Sequence, residues 1–357
     1  MTAGAAVARE GRIDVLSRLE AVCAGRGLDA VAGRLSGLAE LVRDDMESLE
    51  AALAELPRHQ SVVVRSATHL LDLGGKRLRP MCVALASRTG TGFDARAREL
   101  AVAVELVHSA TLLHDDVVDL GDRRRGAAAA RAIWGNAASI FAGDWLLVEA
   151  LRRVRHAEVD GLLDRLLSVI EEMIFAEAIQ LEQRGRFLAG RAAYFRVVEG
   201  KTASLFRWAM VAGGKAGGLD DAHCRALESY GLHLGVAFQA IDDVLDLTGD
   251  SRATGKALFA DLREGKVTYP LIVALERDPS LREVLERVAS EPGDGAPPEA
   301  LSRAVLDSLV RTRATEECLD FARGRAAEAV RSLDPIAHGA ARAALETIAL
   351  TVVSRQR

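Results

Sequence analysis

The chain has 357 residues, with 46 Lys and Arg against 51 Asp and Glu, 49% hydrophobic residues and only 4% aromatic ones. A net charge of −5 argues against holding nucleic acid or an anionic membrane by bulk charge. The composition also excludes collagenous, disordered, disulfide-scaffold and transmembrane classes and leaves Ala, Leu, Val and Ile to fill the interior.

Residues 1–35 are rich in Ala and Gly, with weak helical periodicity, and are expected to form an N-terminal extension ahead of one all-α domain over 36–357. Met1–Arg12 carries Arg9, Glu10 and Arg12 and lacks the apolar stretch of a secretory signal. Residues 36–56 set Leu38, Leu41, Leu49, Leu53 and Leu56 against Glu40, Arg43, Asp44 and Glu50, an amphipathic helix that Pro57 ends. A second helix is predicted over 61–73, running into Gly74-Gly75. Further helices are predicted at 81–89, 95–120, 136–154, 159–185, 191–213, 220–247, 267–277, 300–324 and 326–355. None of the 8 prolines lies between Pro80 and Pro270, which favours long helices. Residues 290–299 (SEPGDGAPPE) read as a surface loop, because the segment after them is too short for a core of its own. No apolar run is long enough to span a membrane. Cys23, Cys82, Cys224 and Cys318 are scattered without a CxxC pair, so no zinc site or disulfide framework is expected and the protein reads as cytoplasmic.

Two aspartate clusters stand out. LHDDVVD contains Asp115, Asp116 and Asp119, and AIDDVLD contains Asp242, Asp243 and Asp246, each a DDxxD within apolar helical sequence. Residues four apart share a helix face, so Asp115 stacks on Asp119 and Asp242 on Asp246. Carboxylates stacked this way repel one another, and hard divalent cations relieve the repulsion. Mg²⁺ suits them, because it binds carboxylate oxygen and completes its shell from water and substrate phosphates. One such motif is readily a solvated acidic stripe; two, each flanked by Leu, Val, Ile or Ala, are harder to dismiss.

Basic residues accompany them. GGKRLRP places Lys76, Arg77 and Arg79 after a double glycine, with Pro80 suited to a helix's first turn. His108 lies seven residues before Asp115, two turns along the same face. Arg123-Arg124-Arg125-Gly126 follows the first cluster, and Lys201-Thr202, Lys256 and Lys266 come later. Arg grips phosphate bidentately and Lys acts as a point charge, so together these residues describe a pocket for diphosphates bridged by Mg²⁺.

In order, GGKRLRP, HDDVVD with DRRRG, GNAASIFAGDWLL, AEAIQL, KTASLF, FQAIDDVLDLTGD and GKALFADLREGKVTYPL, from Gly74 to Leu271, resemble the trans-isoprenyl diphosphate synthase (polyprenyl synthetase) family. The resemblance implies an all-α, isoprenoid-synthase-type bundle around a deep central cavity, a homodimer, and head-to-tail condensation of isopentenyl diphosphate onto an allylic diphosphate. It implies about three Mg²⁺ ions per site, with Mn²⁺ a substitute. Asp115, Asp119, Asp242 and Asp246 would be the metal ligands, supported by Asp116 and Asp243. Lys76, Arg79, His108 and Arg125 match positions that hold isopentenyl diphosphate. Arg124, Lys201, Thr202, Gln239, Lys256 and Lys266 match positions around the allylic diphosphate, with Lys201, through its carbonyl, Thr202 and Gln239 facing the allylic cation. Departures are modest: three arginines precede Gly126 where a pair is usual, Ala127–Ala130 replaces a more polar stretch, and Ala176-Glu177 stands where Gly-Glu is common. None removes a ligand.

Chain length follows from Ala110, five residues before Asp115 and the expected determinant. In the family, an aromatic residue there stops growth early. Here Ser109, Ala110 and Thr111 are all small, which favours a medium or long product of about C35–C50 over a farnesyl or geranylgeranyl product. Phe175 is a candidate for the floor of the tunnel. A class I terpene cyclase would leave Lys76, Arg79, His108 and Arg125 without a purpose. A non-catalytic subunit of a two-component synthase would have lost aspartates or basic residues that this chain keeps. His69, His156, His233 and His338 are expected on helix surfaces without a role.

Overall fold

The computed structural model describes residues 29–58, 60–187, 190–249, 258–290 and 298–354. As expected, the regular structure of the described residues is helical, apart from one very short hairpin. They gather into two compact units, one formed by the described residues of the spans Met1–Leu163, Ala209–Arg225 and Pro335–Ile348, the other by those of Asp164–Trp208, Ala226–Asp334 and Ala349–Arg357.

The first unit holds α1 (Asp29–Ala54), α2 (Val62–Asp72), α3 (Leu78–Arg88), α4 (Ala95–Val118), α5 (Ala130–Trp134) and α6 (Asn136–His156). Asp94 starts α4 by accepting a hydrogen bond from the Ala97 N–H at 2.9 Å. Small residues let α4 and α6 pack closely along their length: Ala103 and Ala110 on one, Ala142 and Gly143 on the other, are buried or without a side chain. A Cβ at Gly143 would lie 2.3 Å from His114 Nε2. Ser139 of α6 also donates to the Leu113 carbonyl at 2.9 Å. Between α4 and α5, Arg123–Arg124 pairs antiparallel with Ala127–Ala128. The two-residue turn, Arg125 (φ 52°) and Gly126 (φ 81°), has both central residues at positive φ, which matches the strand twist.

The remaining elements, most of them in the second unit, are α7 (Leu162–Gln183), α8 (Arg191–Val198), a π-helical turn (Glu199–Ala203), α9 (Ser204–Ala216), α10 (Asp221–Thr248), α11 (Ala260–Arg263), α12 (Tyr269–Arg277), α13 (Leu281–Ser290), α14 (Glu299–Thr312), α15 (Ala314–Ser332) and α16 (Ala340–Ser354). Residues 209–216 of α9 and most of α16 belong to the first unit. Gly231 and Gly235 bring α10 against α9 and the π-turn: a Cβ there would meet the Phe206 carbonyl oxygen at 2.7 Å and Ala203 Cα at 2.6 Å.

Several boundaries differ from the sequence reading. The first helix begins at Asp29, ahead of 36. The helix expected over 191–213 is interrupted by the π-turn, in which Gly200 packs on α7 so closely that a Cβ would lie 3.0 Å from the Glu172 carbonyl oxygen. The helix expected over 300–324 ends at Thr312, where Arg313 turns left-handed (φ 52°) and serves both as C-cap of α14 and N-cap of α15. The helix expected over 326–355 is also two pieces. α15 runs to Ser332, Pro335 cannot continue it, and α16 starts at Ala340.

Candidate active site

In the first unit, the GGKRLRP segment separates its three basic residues. Gly74 (φ 71°) turns the chain out of α2, and Arg77 (φ 49°) caps α3 and points inward. Arg77 donates from Nε to Glu50 at 2.8 Å and from Nη1 to Glu105, and these two carboxylates hold its guanidinium firmly charged. Lys76 stays exposed and Arg79 half-buried. Arg125 reaches back over Gly75, where a Cβ would come within 2.9 Å of its guanidinium. His108 of α4 lies among these groups. Burial, and then the charges of Arg79, Arg125, Arg124 and Arg77, push its imidazole well below the usual histidine range, so it is neutral at pH 7. Arg79, His108 and Arg125 are therefore brought together.

The first aspartate cluster divides. A helix turns about 100° per residue, so Asp116 leaves the face shared by Asp115 and Asp119. It is buried, with Oδ1 accepting from Arg124 Nε at 2.8 Å, while Asp115 and Asp119 stay half-buried. Burial raises the Asp116 carboxyl, against the pull of Arg124. Asp116 Oδ2 has no protein hydrogen-bond partner. Arg124, expected at the allylic diphosphate, is thus committed to Asp116. One turn and more before the cluster, Ala110 and Ser109 are fully buried, and Thr111 donates to the His108 carbonyl at 2.9 Å.

The second unit repeats the division. Asp242 and Asp246 are half-buried and Asp243 is buried. Asp243 Oδ2 accepts from the Tyr194 hydroxyl at 2.7 Å and the Tyr269 N–H at 3.2 Å; Oδ1 accepts from Gln239 Nε2 at 2.8 Å. Desolvation, then the charge of Asp261, push its carboxyl up to about 7, against these three donors. The Thr202 hydroxyl donates to Gln239 Oε1 at 2.9 Å. Lys201, in the π-turn, bonds Glu177 and lies 3.0 Å from Gln180 Oε1. Lys266 lies 2.6 Å from Glu264, and its N–H donates to the Asp261 carbonyl. Lys256 lies outside the described residues. Phe175 of α7 is 62% exposed.

Sequence reasoning missed Tyr194, Tyr269, Asp261 and the inward role of Arg77. Nothing in the chain announces that Tyr194 meets a carboxylate 49 residues away. AEAIQL did carry a signal, since Glu177 and Gln180 lie on one helix face and both face Lys201.

Among the described residues no three carboxylate, imidazole or thiol groups form a metal cage alone. The all-oxygen donor set, with an i,i+4 carboxylate pair in each cluster, fits an ion such as Mg²⁺, which takes one or two protein carboxylates and draws the rest from phosphate and water.

The family described as polyprenyl synthetase matches residues 60–302. The chain is 35% identical over 300 residues to the octaprenyl diphosphate synthase of Haemophilus influenzae, covering 83% of this chain and 89% of that protein. It is 34% identical over 325 residues to the octaprenyl diphosphate synthase of Escherichia coli, covering 90% and 99%. The solved polyprenyl synthase of Caulobacter crescentus, complexed with calcium and isoprenyl diphosphate, superposes with a TM-score of 0.84 at 34% identity, covering 90% of this chain and 98% of that one. With this fold, these motifs and this coverage, the chain belongs to the polyprenyl synthetase family.

Proposed function

We propose that the chain is a Mg²⁺-dependent trans-prenyltransferase. It condenses isopentenyl diphosphate head-to-tail with an allylic diphosphate to give an all-trans polyprenyl diphosphate of medium or long chain, about C35–C50. The observation that carries the reading is the division of labour in both aspartate clusters: the second carboxylate is buried on protein donors while the outer pair stays half-buried, one turn apart.

Asp115, Asp119, Asp242 and Asp246 would hold the metal. When bound, Mg²⁺ compensates the charge of the diphosphate leaving group. Lys76, Arg79 and Arg125, with the neutral His108 as a hydrogen-bonding group, would hold isopentenyl diphosphate. Lys201, Lys256 and Lys266 would hold the allylic diphosphate, with Arg124 contributing through its pair with Asp116. Heterolysis of the allylic carbon–oxygen bond leaves a cation, which the oxygens of Thr202 and Gln239 and the Lys201 carbonyl stabilise as oriented dipoles. The isopentenyl double bond attacks it, and the departing diphosphate takes the proton released from the new chain. Holding both substrates in register is worth about 7–11 kcal/mol in well-oriented systems.

The same reading includes a homodimer. α6 exposes Ile140, Phe141 and Val148, and α7 exposes Leu167, Ile174 and Phe175, more apolar surface than a lone helix face normally leaves in water. Light scattering of the purified protein at twice the chain mass supports this, and a monomer refutes it.

Incubating the purified chain with isopentenyl diphosphate, farnesyl diphosphate and Mg²⁺, then sizing the products, tests the function. Products of about C35–C50 are expected. Products no longer than C20 refute the long-chain reading, and turnover independent of isopentenyl diphosphate refutes prenyl transfer.

A further inference from the structure

A line of four hydrogen-bonding groups runs through the second unit from a buried tyrosine to the Thr202 hydroxyl. Tyr194 donates to Asp243 Oδ2, Gln239 Nε2 donates to Asp243 Oδ1, and Thr202 donates to Gln239 Oε1, at 2.7, 2.8 and 2.9 Å. Asp243 is 2% exposed, Thr202 8% and Tyr194 8%, so water does not compete freely for these groups. We propose that Tyr194 is a positioning residue that, through the Asp243 carboxylate and the Gln239 amide, sets the direction of the Thr202 hydroxyl. The inference rests on the prenyltransferase reading above.

The direction follows from what each group can do. The NH₂ end of Gln239 donates to Asp243, so its carbonyl end faces Thr202 and can only accept. The single hydrogen of Thr202 is then committed to Gln239 Oε1. What both oxygens still present are lone pairs, the correct sign for a developing cation; a Thr202 hydroxyl turned the other way would aim a partial positive charge at it. Asp243 itself turns only if one of its oxygens is released. Tyr194 prevents this together with the Tyr269 N–H, which is fixed by its place at the start of α12. Tyr194 is in turn held by stacking on the Tyr269 ring, centroids 5.4 Å apart. The phenol therefore never touches substrate, yet it holds the end of a relay whose other end does.

Tyr194→Phe keeps the ring and removes the donor. It is expected to lower kcat about tenfold or more. The KM of isopentenyl and farnesyl diphosphate and the Mg²⁺ concentration for half-maximal rate should stay within about twofold. Thr202→Val removes the end of the relay, and adding Tyr194→Phe to it should cost little more, because both changes undo the same orientation. Unchanged kcat in Tyr194→Phe, a loss carried by KM or by the Mg²⁺ dependence, or losses that multiply in the double variant would each overturn the proposal.

A second pair of variants does not depend on how Tyr194→Phe folds. Asp243→Asn presents an amide NH₂ to Gln239, forces the Gln239 amide to flip and turns the Thr202 hydroxyl round, so kcat should fall. Adding Gln239→Glu restores an acceptor on both sides of position 239 at unchanged total charge, and kcat should recover in part. A double variant no faster than Asp243→Asn alone overturns the relay. A wild-type chain that does not extend farnesyl diphosphate overturns the prenyltransferase reading instead.

Discussion

Asp116 and Asp243 each follow a half-buried aspartate by one residue, and the 100° step of the helix carries the second carboxylate from the face of the first into the interior. The two neighbours should then fail in different ways when truncated. Asp115→Ala is expected to lower kcat at least about a hundredfold, through lost metal and diphosphate contacts, with little change in unfolding free energy. Asp116→Ala strips the buried partner from Arg124 and should lower the unfolding free energy by about 3 kcal/mol. Urea unfolding and steady-state rates on both variants separate the two roles. Equal stability losses for the pair would show that the division of labour is not real.

At the scale of elements, α10 carries Gly231, Gly235, Gln239 and Asp243 at four-residue intervals, so they form one stripe. The two glycines allow the close approach to α9 and the π-turn, and the same stripe then delivers Gln239 to Thr202 and Asp243 to Tyr194. Gly235→Ala would put a methyl 2.6 Å from Ala203 Cα, where backbone rather than a flexible side chain must give way. It should cost about 1–3 kcal/mol in denaturant unfolding. It should also lower kcat, because Ala203 adjoins Thr202; a variant with normal stability and rate would show that the approach is looser than the geometry implies. Much of this was readable beforehand. The i,i+4 aspartates and the long proline-free helices follow from spacing alone, and Pro335 should have marked the break before α16. The π-turn was not readable, because it depends on how Gly200 meets α7 across 28 residues of sequence. Nor was the break at Arg313, since nothing in Thr312-Arg313-Ala314 forbids a continuous helix. The separate fates of adjacent aspartates were available from the helical angle, whereas the partners that receive Asp116 and Asp243 come only from tertiary structure.

For the molecule as a whole, the scarcity of aromatic residues becomes a statement about product size. Ser109 and Ala110 are fully buried and add little bulk to α4 on the way to the first aspartate cluster. Ala110→Phe is expected to shift the product distribution toward about C20 or shorter, read by chromatography of the dephosphorylated products. Unchanged long products from a folded variant would remove Ala110 as the determinant. The proposed homodimer belongs to the same scale, because it would cover apolar residues that α6 and α7 leave exposed.

The gathering of arginines around His108 has a thermodynamic side. Arg79, Arg125, Arg124 and Arg77 all act electrostatically on one half-buried imidazole, so folding assembles like charges that the unfolded chain keeps apart. A polyanion that binds only the assembled cluster repays that work and is linked to folding by mass action: at a hundred times its dissociation constant it adds about 2.7 kcal/mol of stability. Inorganic pyrophosphate, which has no prenyl group, should therefore raise the melting temperature of this protein, and the rise should shrink as salt screens the cluster. The groups that would grip a substrate's diphosphate are, by the same charge, the part of the molecule whose folding gains most from the substrate's arrival.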